Sequence, residues 1–467
     1  MMTKSNFTKK SLLILMVLFT VFQMSGYSQE EVVAENDSAT KIKKGWNFGG
    51  LPVVSYDSDL GFQYGLLGSI YHYGDGSRYP EFDHNFYVEA SRYTKGSGIF
   101  RFAYESDRLI KNIRLFFDVS YIPDDAYDFI GFNGYESVYL TPWIDRDNVN
   151  YRTTAFYKLS RKMFRTRADL HGKLSIKNLY WTTGAEFYNL QIGSVDIDKF
   201  NKGKDEEDLL PSTEEMPGLY ERYQDWGLIA PENSQGGNVF GLKGGLMYDS
   251  RNTRAHPTKG IWSEIGLFYA PGFANDVDKG YLKLYATHRQ YINIIKKRLT
   301  FAYRVGYQTS IVNKGPWYTD QFIITSSLRG ASSEGLGGGK TLRGIKRNRV
   351  VGDGVLYGNL ELRWKVIYFQ FIGQNFYIGL NGFMDAGQVV KLIPIKDQVG
   401  AIGENQTTEF IEVSDYFDLG AESMHIGYGA GLRIAMNENF IIAVDYGRAT
   451  SEKDGSSGLY IGLNYLF

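Results

Sequence analysis

The last ten residues, 458–467, alternate between two faces of an extended strand. Leu459, Ile461, Leu463, Tyr465 and Phe467 share one face, and Tyr460, Gly462, Asn464 and Leu466 the other. A terminal strand that is apolar at every second position must bury that face, and the start of the chain indicates where. Lys4, Lys9 and Lys10 precede an apolar stretch at 12–22, and the small-residue site Gly26, Tyr27, Ser28 follows before Gln29. This is the layout of a secretory signal, too short for a spanning helix. No later segment approaches the roughly 18 apolar residues that a helical span needs. An exported chain of this kind enters a membrane only as a closed barrel of strands.

The same two-residue period recurs along the chain. Leu299, Phe301, Tyr303, Val305 and Tyr307 face one way, and Thr300, Ala302, Arg304 and Gly306 the other. Met424, Ile426, Tyr428, Leu432 and Ile434 oppose His425, Gly427, Gly429, Gly431 and Arg433, while Phe440, Ile442, Val444 and Tyr446 oppose Ala443, Asp445 and Gly447. A charge between apolar neighbours faces a wet interior while its neighbours face lipid. A soluble sandwich shows the same period, but 15% aromatics with 35 Tyr and 53 Gly fit half-wet strands with aromatic girdles at two interfaces.

Seventeen windows read as strands: 46–56, 61–73, 84–94, 98–106, 112–121, 151–161, 164–175, 179–191, 238–250, 260–270, 280–291, 299–307, 354–367, 375–386, 424–434, 440–447 and 458–467. Single-chain bacterial barrels use even numbers, so one window is false, with 46–56 and 151–161 the weakest. The expectation is an all-β, sixteen-stranded antiparallel transmembrane barrel over 46–467, after a signal peptide at 1–28 and a short periplasmic segment at 29–45. That segment is too short for a second domain. Counting back from Phe467, short turns at 293–297, 369–373 and 437–439 fall in the periplasm, and long segments at 192–237, 310–353 and 388–422 fall outside.

Several stretches between about residue 237 and the C-terminus resemble the BamA/TamA type of outer-membrane translocases, the bacterial surface antigen family. Tyr248 to Gly260, with Asp249, Arg251, Pro257, Thr258 and Gly260, resembles that family's turn motif. Gly337-Gly-Gly-Lys-Thr-Leu-Arg-Gly-Ile345 resembles its Arg-Gly loop, which the family folds back into the barrel. Gly358 to Arg363 and Phe383 to Gly387 resemble the two strands facing that loop, and the ending with Leu463, Tyr465 and Phe467 resembles its assembly signal. Ile345 stands where the family usually has an aromatic. Translocating members carry periplasmic polypeptide-transport-associated (POTRA) domains, for which 29–45 has no room, so the resemblance implies a barrel-only member with periplasmic or outer-membrane partner proteins in their place.

Strand parity agrees with the resemblance. Tyr357, Asn359, Glu361 and Arg363 share a face opposite Leu356, Leu360, Leu362 and Trp364, and Asp385 lies on the face opposite Met384, so Glu361 and Asp385 both point inward. Arg343 can then anchor the loop by a bidentate guanidinium to carboxylates on neighbouring strands, and Gly344 allows a backbone φ above zero.

Other signals carry less. Gly339-Lys340-Thr341 lacks the first glycine of a phosphate loop, because Glu334 stands there. The acidic run 205–208 with Glu214 and Glu215 reads as a solvated outer loop, and the six histidines show no metal-ligand spacing. The chain has no cysteine, so thiolate metal sites are excluded, and a net charge of −1 offers no surface for nucleic acid. An outer-membrane lipase needs a Ser or Asp/His pair at the lipid boundary, and the sequence places none. The expected function is insertion, assembly or translocation of proteins or lipids at the outer membrane of a Gram-negative cell, among membrane lipids, without cofactor or covalent chemistry. A passive diffusion channel and an adhesive surface protein are the alternatives.

Overall fold

The computed structural model describes residues 43–467 except 80, 254–255, 277–278, 327–329, 333, 372–373, 405–411 and 437–439. The expected signal peptide, most of 29–45, the turn at 437–439 and part of that at 369–373 lie outside the described residues.

The strands are β1 (Trp46–Asp57), β2 (Gly61–His72), β3 (His84–Tyr93), β4 (Gly98–Ile110), β5 (Ile113–Asp128), β6 (Lys158–Lys173), β7 (Leu179–Gly193), β8 (Gly236–Asp249), β9 (Gly260–Ala270), β10 (Tyr281–Ile295) and β11 (Leu299–Val312). A hairpin of β12 (Ile323–Ser326) and β13 (Gly330–Ser332) follows, then β14 (Gly354–Phe371), β15 (Gln374–Lys391), β16 (His425–Met436), β17 (Phe440–Ala449) and β18 (Ser457–Leu463). All but the hairpin close into one antiparallel ring of sixteen strands in chain order, with β11 beside β14 and β18 beside β1. Closure pairs the strand edges all round the ring except along part of the β1–β18 seam. The period-two pattern decides the two faces. On β14 the exposed residues are Leu356, Leu360, Leu362 and Trp364, and Tyr357, Asn359, Glu361 and Arg363 are buried. The apolar face is therefore outside, as in a membrane barrel.

The structure decides between the two weakest windows. Trp46–Asp57 is a genuine strand, and 151–161 is the false window: β6 begins only at Lys158. Residues 129–157 form a fourth long loop, and the aromatic alternation of 151–157 is satisfied elsewhere than in lipid. Phe156 and Tyr157 join Phe129, Phe132, Trp143, Tyr223, Trp317, Tyr416 and Phe417 in one buried cluster drawn from four loops at the same end of the barrel. Backbone and side-chain bonds cross between these loops: Asn133 N donates to Val351 O at 2.7 Å, Val138 N to Tyr416 O at 2.9 Å, and Trp317 Nε1 to Asn233 O at 2.8 Å. The loops thus build an aromatic-cored lid over the outer mouth.

The C-terminal strand is also shorter than its alternation suggests. β18 stops at Leu463, and Asn464 takes φ +68°, a left-handed conformation that Asn tolerates and that turns the chain. Tyr465 packs against buried Tyr377, Ala435 and Ile441, and Arg363 Nη2 donates to the Phe467 carbonyl oxygen at 2.9 Å. Interior partners pull these two aromatics off the lipid face.

Candidate functional site

The loop from β13 to β14 descends against the buried faces of β14 to β18. Arg343 is 1% exposed. Its Nε and Nη2 reach Asp385 Oδ2 and Oδ1 at 2.8 and 3.0 Å, a bidentate fork, and its backbone N–H donates to the same carboxylate at 2.9 Å. Nη1 lies 2.7 Å from Glu361 Oε1 and 3.4 Å from Asp445 Oδ2. The guanidinium carbon stands 3.6 Å from the Phe383 ring centre, so one face of the cation rests on an aromatic. Two further guanidiniums complete the cluster: Arg363 binds Glu361 Oε2 at 2.7 Å, and Arg433 binds Asp445 through two nitrogens at 2.8 and 2.9 Å. Three cations thus face three carboxylates, which keeps a buried group of charges neutral.

The structure brings Arg343, Gly344, Glu361 and Asp385 together. Gly344 has φ +87°, and a Cβ there would meet Arg448 N at 2.5 Å. The inward Gly427 and Gly447 leave room for the same turn, since a side chain on Gly447 would stand 2.7 Å from Gly344 N, and one on Gly427 would strike Arg343 O. These glycines therefore clear space for the loop. Ile345 is buried with Leu336, Leu342, Val350, Val355, Tyr357 and Val389. Asp445 was legible as an inward charge, but the vertical offset that puts it beside Arg343 is not written in strand parity.

Downstream, the basic run 346–349 ties the loop to other walls. Arg347 reaches Asp128 Oδ2 and Asp124 Oδ2, both at 2.8 Å, and Arg349 donates to Gly134 O at 2.6 Å. Lys346 Nζ lies 3.9 Å from Asp59 and 3.8 Å from Asp128. Burial alone would pull the Lys346 ammonium down, but Asp128, Tyr139 and Asp59 beside it hold it above its ordinary value. Burial pushes the Asp59 carboxyl up despite Lys346. Sequence reasoning did not assign these residues; basic residues facing inward acids on β5 were the available signal.

The same loop lies across the seam that closes the ring. β1 and β18 pair only at Tyr56↔Ile461 and Asp57↔Tyr460, whereas β1 and β2 pair at every position from Trp46↔His72 to Asp57↔Gly61. Ser58 N adds one bond to Leu459 O at 3.1 Å. Those contacts sit at the outer end of β1, leaving its periplasmic part unpaired on that edge. Pro52 lies in this stretch, a residue sheets accept at an edge. Gly344 N–H donates to the Tyr460 hydroxyl at 3.2 Å, and a Cβ on Gly339 would stand 2.7 Å from the Tyr460 ring and 3.1 Å from Asp57 Oδ2. The loop thus touches both strands of the seam.

The turn motif lies elsewhere, at the short-turn end between β8 and β9. Arg251 forks onto Asp249 at 2.9 and 2.7 Å and lies over the Trp262 ring, 3.8 Å from its centre. Thr258 N donates to Asn252 Oδ1 at 3.0 Å, Gly260 has φ +111°, and Pro257 is buried. Of the C-terminal trio, Leu463 is exposed on the outer face, while Tyr465 and Phe467 stack against the Arg363 guanidinium at 4.3 and 4.9 Å.

A model of the Omp85 superfamily domain matches residues 111–467. No curated protein matches the chain. Among solved structures, BamA from Haemophilus ducreyi lacking POTRA domains 1–3 is similar over 96% of this chain and 78% of its own, at 16% identity and a TM-score of 0.52. CdiB from Escherichia coli is similar over 94% of this chain and 67% of its own, at 11% identity and a TM-score of 0.51. At these identities the likeness establishes the barrel fold.

Proposed function

We propose a function from one premise: this chain belongs to the Omp85 superfamily, whose domain spans residues 111–467. It sits in the outer membrane of a Gram-negative envelope and works in the insertion or translocation of proteins there. We read the chain as a signal peptide at 1–28, a short periplasmic segment at 29–45 and a barrel at 46–467, with client chains presented by periplasmic partners and no covalent step.

The observation that carries the mechanism is the seam. A barrel whose closing pair meets at two register positions can part there at far lower cost than at any other pair of strands, and the parted edge of β1 offers unpaired backbone groups to an incoming strand. In this reading the loop bearing Arg343 holds the outer end of the seam in register, with Glu361, Asp385 and Asp445 as its fixed points. The aromatic lid supports the same reading over a passive channel, because it covers the mouth through which solutes would leave.

The chain contains no cysteine, so a pair introduced by Tyr56→Cys and Ile461→Cys is the sole thiol pair present. Oxidation is expected to abolish assembly of outer-membrane clients in cells that depend on this protein, and reductant to restore it. Full activity of the oxidised, cross-linked form would exclude seam opening.

A further inference from the structure

The lipid face of β9, β10 and β11 is apolar at Ile265, Leu267, Leu284 and Val305, as is that of neighbouring β14 at Leu360 and Leu362. Within this belt four outward side chains are polar and bonded to one another. Ser263 Oγ lies 2.7 Å from His288 Nδ1, and His288 Nε2 lies 3.3 Å from the Tyr303 hydroxyl, which donates to Gln290 Oε1 at 2.6 Å. The residues face each other across paired strands, Ser263 opposite His288 and Gln290 opposite Tyr303. Tyr303 has one proton and gives it to Gln290, so His288 Nε2 donates to the Tyr303 oxygen and Nδ1 accepts from Ser263. The bonds therefore run in one direction and end on Gln290. Its side-chain N–H pair has no partner among the described residues.

Polar groups on a lipid-facing surface are costly unless something in the membrane answers them. Depth narrows what that is. Ser263 is the fourth residue of β9, and Tyr248 opposite it is the last but one of β8. Ser263 thus lies about 10 Å along β9 from its periplasmic end, and Tyr303 and Gln290 about 13 and 17 Å from those of β11 and β10, in the periplasmic part of the wall and on the side of the inner-leaflet ester and phosphate groups.

A Ser–His pair also suggests acyl transfer, but the site lacks the other half of that chemistry. The backbone around Ser263 is paired with β8 on one side and β10 on the other, so no backbone N–H beside Ser263 is left to stabilise an oxyanion. The cluster binds and does not cleave.

We propose that Ser263, His288, Tyr303 and Gln290 form a binding site for a glycerophospholipid of the periplasmic leaflet. Its ester or phosphodiester oxygens accept from the Gln290 amide, and the Ser263–His288–Tyr303 relay fixes that amide. β9, β10 and β11 are the ninth to eleventh of sixteen strands in the ring, so the lipid sits on the far side of the barrel from the seam. The site is independent of the insertion reading and is tested without it.

The test is native mass spectrometry of the full-length protein from detergent micelles carrying phosphatidylethanolamine and phosphatidylglycerol in equal parts. The wild type is expected to retain one phospholipid adduct, and Gln290→Leu and Tyr303→Phe each to retain it about tenfold less, the effect of one lost hydrogen bond. Heat-modifiable migration on gels establishes that each variant is folded, and Ile265→Leu, on the same face, is expected to keep the adduct. Equal retention by the wild type and Gln290→Leu overturns the proposal. So does release of free fatty acid by the wild type, which would make the site hydrolytic, or loss of a dimer in place of a lipid, which would assign the cluster to a second copy.

Discussion

Arg343 touches three carboxylates and an aromatic ring while almost wholly out of water. A charge so placed is held by its partners, and removing it leaves Glu361, Asp385 and Asp445 with two guanidiniums between them. Arg343→Ala is therefore expected to weaken the seating of the loop by about 3 to 5 kcal/mol, the usual cost of breaking a buried pair from one side. The checkable outcome is protease cleavage within 332–349 in intact cells, rising in Arg343→Ala with the barrel still folded, and rising less in Arg343→Lys, which keeps the charge but loses the fork. Unchanged cleavage in Arg343→Ala counts against the anchor. At Asp59 the sign of the pH effect follows from burial. Burial raises its carboxyl above the ordinary value of 3.8, so the folded protein binds this proton at a pH where the unfolded chain has released it. Stability from this group is present below pH 3.8 and is lost as pH rises through the folded value. Asp59→Asn is expected to raise the urea midpoint of unfolding at neutral pH and to change it little at acid pH, and a lowered midpoint at neutral pH would contradict the assignment. At this scale much was legible. Parity alone turned Glu361 and Asp385 inward, but parity carries no height, so Asp445, Arg363 and Arg433 were visible as interior charges without being visible as partners.

Among the strands, the ends rather than the middles carry the information that sequence did not. The terminal alternation runs unbroken to Phe467, yet β18 ends at Leu463 because Asn464 turns left-handed and Arg363 and Tyr377 receive the residues beyond. An apolar residue satisfies a period-two pattern equally well on lipid or on an interior cation. The window at 151–161 failed for the same reason, its aromatics being buried in the lid. Asn464 is thus where β18 is kept short. Asn464→Val places a β-branched residue where φ must be positive, which biases the last residues back to extended and lengthens the pairing with β1. The expected result is a higher temperature for the shift in gel migration that marks barrel opening, together with weaker client assembly. A lower opening temperature, with pairing unchanged, would mean that Asn464 does not limit the seam.

Across the whole molecule two closures differ in kind. The outer mouth is shut by an aromatic core assembled from four loops far apart in sequence, which no local pattern announces, so the fold class was readable and the lid was not. The wall is shut by a seam of two paired positions under a loop that reaches both of its strands. Opening of the wall depends on that second closure being short. Hydrogen exchange of the full-length protein in lipid nanodiscs measures it most directly. About half of the amides in 46–55, those on the edge away from β2, are predicted to exchange within the shortest labelling time, while β9 and β10 at the far side of the ring stay protected. Protection of 46–55 as complete as that of β10 would show a fully zipped wall and contradict the account.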